Sequence, residues 1–273
     1  MISPDTFGYN NETAGSNKFQ KAPEYDEKTL RKKVYEEFKA MVSKLKSNGV
    51  DVYVAGIDSE DDLPDAVFPN NWFATYEDGT VILFPMLSAI RRKERDTSLI
   101  EDLAGMAEVK IKKWIDLSKY ESESQILEGT GSLVLDRKHN SVFAIESERT
   151  NFCLFEKYCD MMNIPSDNRV FFHAEDELGN PIYHTNVIMG IGEGFAVICE
   201  ECIQRNEQRS VLGKLKEQGL EIIRISYSQM KNFCGNLLNV KSNKGESIIV
   251  MSATARRNFE EAQIKQLEKY GRI

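Results

Sequence analysis

The stretch Asn232–Val240, NFCGNLLNV, decides how this chain is interpreted. It places one cysteine, Cys234, between a polar entry and an apolar run that predicts the start of a strand. A single cysteine in such a place is usually a small buried hydrophobic residue. Three other stretches share this layout but carry different reactive side chains, and their recurrence favours a functional role for Cys234.

The recurring unit consists of a hairpin, a helix and a strand. Two apolar runs joined by a polar turn predict each hairpin, as in Trp72–Pro85 with its Asp78-Gly79 turn. The hairpins open at Trp72, Ser132, Asn186 and Asn236, roughly every 50–60 residues, a period typical of an array or a closed propeller-like ring. No linker-like change of composition separates the units, so residues 1–273 are predicted to form one α/β domain.

The N-terminal part of the chain is predicted to form part of a further unit. Residues 24–48 carry an apolar face at helical spacing, which predicts an amphipathic helix, and residues 50–54 predict a strand. Residues 1–24 are predicted to be mostly loop.

Composition excludes several classes of protein. Hydrophobic residues make up 41% of the chain, which indicates a globular protein, and no apolar run is long enough to span a membrane. A formal net charge of -8 argues against non-specific nucleic-acid binding. Five cysteines and no export-signal pattern predict reduced thiols and a cytoplasmic location. The lone Cys199-x-x-Cys202 pair has no second pair nearby, so a strand residue followed by a helix residue is favoured over a zinc site.

Reactive or amide-bearing clusters stand just before each hairpin. Taken singly, each has a plain structural explanation: a core histidine, a solvated carboxylate, or asparagines that close turns. If the units are related by a pseudo-rotation, however, the four clusters converge and combine a thiol, an imidazole, a carboxylate and amides. That combination is typical of an activated-nucleophile site. The clusters are Asn70-Asn71, Glu128–Gly131, His184–Asn186 and Cys234–Asn236.

Over essentially its whole length the chain resembles the guanidino-group-modifying enzymes, the amidinotransferase or pentein superfamily. The resemblance looks closest to the citrulline-hydrolysing branch, near dimethylarginine dimethylaminohydrolase and arginine deiminase. It implies a five-bladed α/β propeller with pseudo-fivefold symmetry. The matching stretches are Asp65–Asn71, Leu127–Gly131, Ser147–Asn151, His184–Asn186 and Cys234.

The resemblance also implies residue roles. Cys234 is the expected nucleophile, His184 the general acid and base, and Glu128 the carboxylate that orients His184. Arg149 and one of Arg91 or Arg92 are expected to receive the substrate α-carboxylate, which suits the planar fork of arginine. The expected substrate-binding set is Asp65, Asn70, Asn71, Arg91, Arg92, Arg149, Asn186 and Asn236. No metal or organic cofactor is implied.

The asparagines indicate the charge of the substrate. Arginine-acting relatives carry acidic residues where this chain has Asn70-Asn71, and arginine deiminases carry an aspartate at the place of Asn186. An amide offers a donor and an acceptor but no full charge, which suits a neutral ureido group. Citrulline, cleaved to ornithine, ammonia and carbon dioxide, is therefore the expected substrate. Because Asp65 is a carboxylate that can accept hydrogen bonds from substrate N–H groups, a guanidinium substrate remains an alternative.

Several alternatives remain at this stage. An arginine deiminase, a dimethylarginine dimethylaminohydrolase and an amidinotransferase would use the same residue types. A ribosome-binding factor with this fold is the non-enzyme alternative, which Cys234, His184 and Glu128 together speak against. The expected partner is a small amino-acid substrate, with a homodimer possible and neither nucleic acid nor membrane expected.

Overall fold

The computed structural model describes residues 1–15, 17, 19–57 and 61–273. The chain divides into two compact units, Met1–Gly129 and Thr130–Ile273. The single-domain interpretation stays a prediction.

In the first unit, one three-stranded sheet is flanked in sequence by helices. Strand β2 pairs antiparallel with β1 and parallel with β3. Ahead of this sheet, Ile2 forms a parallel bridge with Ala55 after the long helix α1. The elements are α1 (Glu27–Ser47), β1 (Phe73–Thr75), β2 (Thr80–Leu83), α2 (Ala89–Arg92), α3 (Thr97–Met106) and β3 (Lys113–Asp116), with 3-10 turns at Pro69–Asn71 and Ser118–Glu123.

The second unit repeats this order three times. Its sheets β4-β5-β6 and β7-β8-β9 copy the antiparallel-then-parallel pairing of the first unit. In the last repeat β10 pairs with β11, and Ile248 forms a parallel bridge with Arg272 in place of a third strand. The 3-10 turns are Ser166–Asn168 and Glu200–Cys202. The other elements are α4 (Gly129–Ser132), β4 (Leu133–Asp136), β5 (Ser141–Ile145), α5 (Phe152–Met161), β6 (Arg169–Phe172), α6 (Thr185–Ile188), β7 (Met189–Gly192), β8 (Phe195–Ile198), α7 (Arg205–Glu217), β9 (Glu221–Arg224), α8 (Tyr227–Lys231), β10 (Leu238–Lys241), β11 (Ser247–Val250), α9 (Ala253–Asn258) and α10 (Glu261–Leu267).

The cores lie at the middle strands. Every residue of β2, β5 and β8 is buried. Continuous apolar strands of this kind are expected where a parallel pair is covered on both faces. Trp72 and Leu63 complete the core of the first unit, while Phe155 and Tyr158 on α5 cover the second.

The four predicted hairpins are confirmed, but some neighbouring predictions are wrong. Residues 50–54 form no strand, and only Ala55 makes a bridge. Asn186–Ile188 was expected to open a strand but forms the helical turn α6 instead. The predicted closing helix over 254–270 is two helices, because the chain extends at Phe259 and Glu260 before α10 starts with a capping box.

Helix α1 carries the predicted apolar face, yet none of its residues is buried. Leu30, Val34, Phe38 and Leu45 on that face are only half-buried. The N-terminus of the helix is nevertheless capped, since the Asp26 side chain accepts a hydrogen bond from the Thr29 amide.

Candidate active site

The cysteine loop is held by the helix before it. Ser226 and Gln229 form a capping box that starts α8. At the other end of α8 the Cys234 amide donates to the Gln229 carbonyl at 3.1 Å. Phe233 takes a left-handed conformation (φ 65°), which turns the chain sharply just before the thiol. Cys234 therefore lies at a fixed turn rather than within a strand.

This loop lies directly on the turn that follows His184. A Cβ on Gly235 would stand 2.6 Å from the Val187 carbonyl oxygen, so only glycine allows this approach. The Asn236 side chain donates to the Asn186 carbonyl at 3.1 Å. His184 is the N-cap residue of α6, the helix that carries both contacts. The structure thus places His184 and Cys234 on two adjoining, mutually braced turns.

The Cys234 thiol is buried and protonated. It has no exposed surface, and its Sγ–H donates to the Ala255 carbonyl at 3.5 Å. Burial raises the pKa of the thiol to about 11, because a thiolate loses hydration there. A thiolate at Cys234, which the predicted nucleophilic role requires, would therefore form only when a substrate or an acid–base partner is engaged.

The turn before His184 is braced by the loop that carries Arg149. Ser147 donates through Oγ to the Tyr183 carbonyl at 2.8 Å and accepts from the Arg149 amide at 3.1 Å. The Arg149 guanidinium lies over the Tyr183 ring, 5.0 Å from its centroid, and that ring lies 4.8 Å from the His184 ring. A cation over an aromatic face is attracted to it. Tyr183, which was not predicted to be a site residue, thereby contacts both Arg149 and His184, which were.

In the first unit, Glu128 is fully buried and adjoins the asparagine pair. The Leu87 amide donates to Glu128 Oε1 at 3.0 Å. Gly129 follows with φ 42°, and a Cβ there would stand 2.3 Å from the Asn70 carbonyl oxygen. The glycine is therefore required for the backbone after Glu128 to rest on the Asn70-Asn71 turn.

The Arg91 guanidinium is not free to bind a substrate carboxylate, because groups of the protein already occupy it. Its side chain is 3% exposed, and all three guanidinium nitrogens are engaged. Nε and Nη2 bind the two Glu94 oxygens at 2.9 and 3.0 Å, while Nη1 donates to Asn71 Oδ1 at 2.8 Å. Burial raises the pKa of Glu94 to about 7, and the Arg91 charge opposes that rise. The i, i+3 spacing of the two residues was the available sequence indication of this pair.

Arg92 differs from its neighbour. It donates through Nε to the Met86 carbonyl at 2.8 Å and through Nη2 to the Leu87 carbonyl at 3.3 Å, but its side chain remains 36% exposed. The carboxylate-binding role stays a prediction, and exposure favours Arg92 over Arg91 for it.

Asp65 is buried beside these groups. Its Oδ2 accepts from Asn10 Nδ2 at 2.7 Å and lies 3.9 Å from Arg91 Nε. Asn10 comes from the N-terminal stretch that the sequence predicted only as loop. A contact between residues 55 positions apart leaves no local pattern, so it could not be predicted from the sequence.

The predicted site residues therefore fall into two groups. Within Met1–Gly129 the structure brings together Asp65, Asn70, Asn71, Arg91 and Glu128, with Arg92 next to them on α2. Within Thr130–Ile273 it brings together Arg149, His184, Asn186, Cys234 and Asn236. The roles assigned to all of them stay predictions.

In the part of the chain that the structure describes, the remaining cysteines and histidines form no comparable cluster. Cys199 ends the β8 region and Cys202 lies in a 3-10 turn, with their sulfurs 3.2 Å apart. Among the described residues no group of three or more His, Cys, Asp or Glu side chains is arranged to hold a metal ion. In the same part of the chain, no helix has the length and apolarity needed to cross a membrane.

Solved structures of similar fold are guanidino-modifying enzymes. The N-terminal domain of ArgZ, an arginine dihydrolase from Cyanobacteria solved with substrate, matches with a TM-score of 0.71 at 16% identity, covering 100% of this chain and 88% of that one. AgrE in complex with L-arginine matches at 0.70 and 20% identity, covering 100% of this chain but 36% of that chain. A dimethylarginine dimethylaminohydrolase from Pseudomonas aeruginosa with citrulline matches at 0.58 and 16% identity, covering 86% and 79%.

These likenesses confirm the fold class, the mixed α/β pentein fold of the guanidino-group-modifying superfamily. The chain belongs to the family described as N,N dimethylarginine dimethylhydrolase, eukaryotic, whose profile matches residues 3–273. Its members are hydrolases of carbon–nitrogen bonds outside peptides, which confirms the expected enzyme class. The comparison with curated proteins returned no match.

Proposed function

We propose that this protein hydrolyses a neutral ureido amino acid, with citrulline giving ornithine, ammonia and carbon dioxide. The observation that carries the proposal is the orientation of the Asn71 amide. Arg91 has only donors, so the Asn71 oxygen must face it, as the 2.8 Å contact shows. With its oxygen turned to Arg91, the Asn71 amide has its Nδ2 group on the side away from that guanidinium. The Nδ2 group therefore remains available to donate a hydrogen bond. A ureido oxygen can accept that bond, whereas a guanidinium has only donors and cannot.

The proposed chemistry uses the cysteine and histidine turns. Cys234 attacks the ureido carbon through its thiolate, a C–S bond forms, and a C–N bond breaks as His184 protonates the departing nitrogen. His184 then removes a proton from water, which attacks the adduct and frees the thiolate. The released carbamate loses carbon dioxide. One water is consumed for each citrulline, and Glu128 keeps the orienting role that the resemblance implies. Arg149 and Arg92 are the proposed receptors of the α-carboxylate.

A second candidate is the complete hydrolysis of arginine to ornithine, two molecules of ammonia and carbon dioxide, consuming two waters. One observation favours it: the nearest partner of the buried Asp65 side chain is a neutral hydrogen-bond donor, Asn10, and the Arg91 nitrogen lies farther away at 3.9 Å, so Asp65 is not held in a close ion pair. ArgZ, one of the solved structures of similar fold, is described as an arginine dihydrolase from the ornithine–ammonia cycle.

A substrate panel tests these candidates. Purified protein is given citrulline, arginine and dimethylarginine separately, and ornithine, citrulline, ammonia and dimethylamine are quantified. Ornithine from citrulline alone supports the first candidate, and ornithine from both citrulline and arginine supports the second. Citrulline accumulating from arginine or dimethylarginine without ornithine contradicts both. The Cys234→Ala variant, which lacks the proposed nucleophile, is the negative control.

A further inference from the structure

The outer strand of the first sheet lies more open than its counterparts in the later repeats. Strands β3, β6 and β9 each end a three-stranded sheet by pairing parallel with its middle strand. Two residues of β6 and one of β9 are buried, whereas none of the four residues of β3 is. Among the described residues, β3 is therefore the least covered of these three edges.

The edge of β3 offers backbone groups to a further strand. The Leu117 amide at its end donates to the Leu83 carbonyl of β2 at 2.9 Å, and the Lys113 amide faces the same side. Because backbone groups alternate between the two sides of a strand, those of Trp114 and Asp116 point away from β2. Such outward N–H and C=O groups are a template for pairing with another chain.

The side chains along this edge are complementary to their own reversed order. Lys112, directly before β3, shares one face of the strand with Trp114 and Asp116. Lys112 and Asp116 are exposed, and Trp114 is 37% exposed. In an antiparallel pair of two such strands centred on Trp114, each Lys112 lies opposite an Asp116 and the two indole rings lie opposite each other. Opposite charges and aromatic pairs stabilise directly opposed positions.

The charges also select this register. Lysine on an edge strand usually discourages pairing. Centring the pair on Asp116 would oppose two carboxylates, and centring it on Lys112 would oppose two ammonium groups, both of which are destabilising. Only the arrangement centred on Trp114 gives each lysine of this face an acid. The Asp116 carboxylate is held for that contact, because its Oδ1 accepts from the Ser118 amide at 2.8 Å.

We propose that two copies of this chain associate through β3, which pairs antiparallel with its counterpart across a two-fold axis at Trp114 and joins the two sheets into a continuous one. The Trp114 residues exchange two N–H···O bonds, and two Lys112–Asp116 ion pairs flank them. A two-fold interface requires a surface that is complementary to itself, which this strand supplies. The contact is small, so the expected dimer is reversible, with a dissociation constant of about 1–100 μM.

Reversal of the charges tests the interface. Sedimentation velocity from about 1 to 500 μM protein measures the dimer. Lys112→Asp and Asp116→Lys each set like charges opposite each other twice, so each should weaken the dimer at least about tenfold. In an equimolar mixture of the two variants every opposed pair carries opposite charges, so the mixture should recover the original affinity. The matched control is Lys113→Asp on the other face of β3, which should keep the affinity within about threefold.

Three results would overturn the proposal: an unmodified protein that stays monomeric over the whole range, a dimer that neither reversal weakens, or a mixture that does not recover. If the variants do not fold, hydrogen exchange in the unmodified protein replaces them. The Trp114 and Asp116 amides should exchange at least about fivefold more slowly at about 500 μM than at about 1 μM, while the amides of β9 stay unchanged. Exchange at Trp114 and Asp116 that is independent of concentration would contradict the interface.

Discussion

Gly235 lies so close to Val187 that a single added carbon would collide with the Val187 carbonyl oxygen at 2.6 Å. The Gly235 carbonyl oxygen faces strand β7, where a Cβ on Gly190 would stand 3.0 Å from it. The cysteine turn and the histidine turn are thereby set at one fixed spacing. Nucleophilic catalysis depends on such spacing, since the base and the nucleophile must come within hydrogen-bond reach.

Substitution of Gly235 tests this spacing. We expect Gly235→Ala to lower ornithine release at least about tenfold and to destabilise the protein by about 1–3 kcal/mol, because backbone, not a flexible side chain, blocks the new methyl group. Urea unfolding and a product assay measure the two effects.

The matched control is Gly213→Ala in helix α7, where nothing lies within 4 Å of the added carbon. This change should stabilise the protein by about 0.5–1 kcal/mol and leave activity unaltered. Equal behaviour of the two variants would show that Gly235 sets no spacing.

The pH dependence of Cys234 follows from its burial. Because the pKa of the thiol is raised to about 11, its thiolate fraction at neutral pH is below that of an exposed cysteine. Alkylation by iodoacetamide, followed residue by residue with mass spectrometry, should be slow at pH 7 and accelerate as the pH rises toward 11. The exposed Cys153 serves as the internal reference and should react first. A Cys234 rate that levels off below pH 8 would contradict this protonation state.

Tyr183 is expected to matter through its ring rather than its hydroxyl group. The Arg149 guanidinium lies 5.0 Å from the centroid of this ring, and the His184 ring lies 4.8 Å from it. Tyr183→Ala should raise KM for citrulline by about five- to tenfold, because Arg149 loses the aromatic face that holds it. Tyr183→Phe keeps the face and should stay near the original KM. If both variants behave alike, the stacked arrangement does not position Arg149.

Thr185 ties the histidine turn to the neighbouring repeat. Its Oγ1 accepts from the Ile145 amide at 2.9 Å and donates to the Ser132 carbonyl at 2.6 Å, all three groups being buried. Thr185→Val keeps the shape but removes both of these buried hydrogen bonds, so the free energy of unfolding should fall by about 1–3 kcal/mol. Thr97→Val, on the exposed first turn of α3, should change it by less than about 0.5 kcal/mol. Urea denaturation at neutral pH measures both.

Sequence patterns located the hairpins because turn chemistry and alternation are local. They also singled out His184 and Cys234, since the same layout recurs along the chain. They misplaced Asn186–Ile188 as a strand, where β-branched residues favour one but the Thr185 hydrogen bonds hold a helical turn. Tertiary contacts of this kind override local propensity.

The partners of the site residues were harder to predict. Arg91 and Arg92 were predicted as alternative receptors of the substrate carboxylate, and only the structure shows that Glu94 and Asn71 are hydrogen-bonded to the Arg91 guanidinium. Asn10 binds Asp65 from 55 positions away in the sequence, and Tyr183 differs from other aromatic residues only by the groups that its ring contacts. Such roles depend on three-dimensional neighbours, which periodicity and motifs do not record.

The most direct test of the central claim is rapid-quench mass spectrometry of the protein mixed with citrulline. We expect an adduct on Cys234 that forms before ornithine appears and decays as ornithine accumulates, and a His184→Ala variant that loses turnover by several orders of magnitude. Cys234→Ala should show neither adduct nor product. Ornithine released at the original rate by Cys234→Ala, with no adduct at any time in the unmodified protein, would contradict the claim.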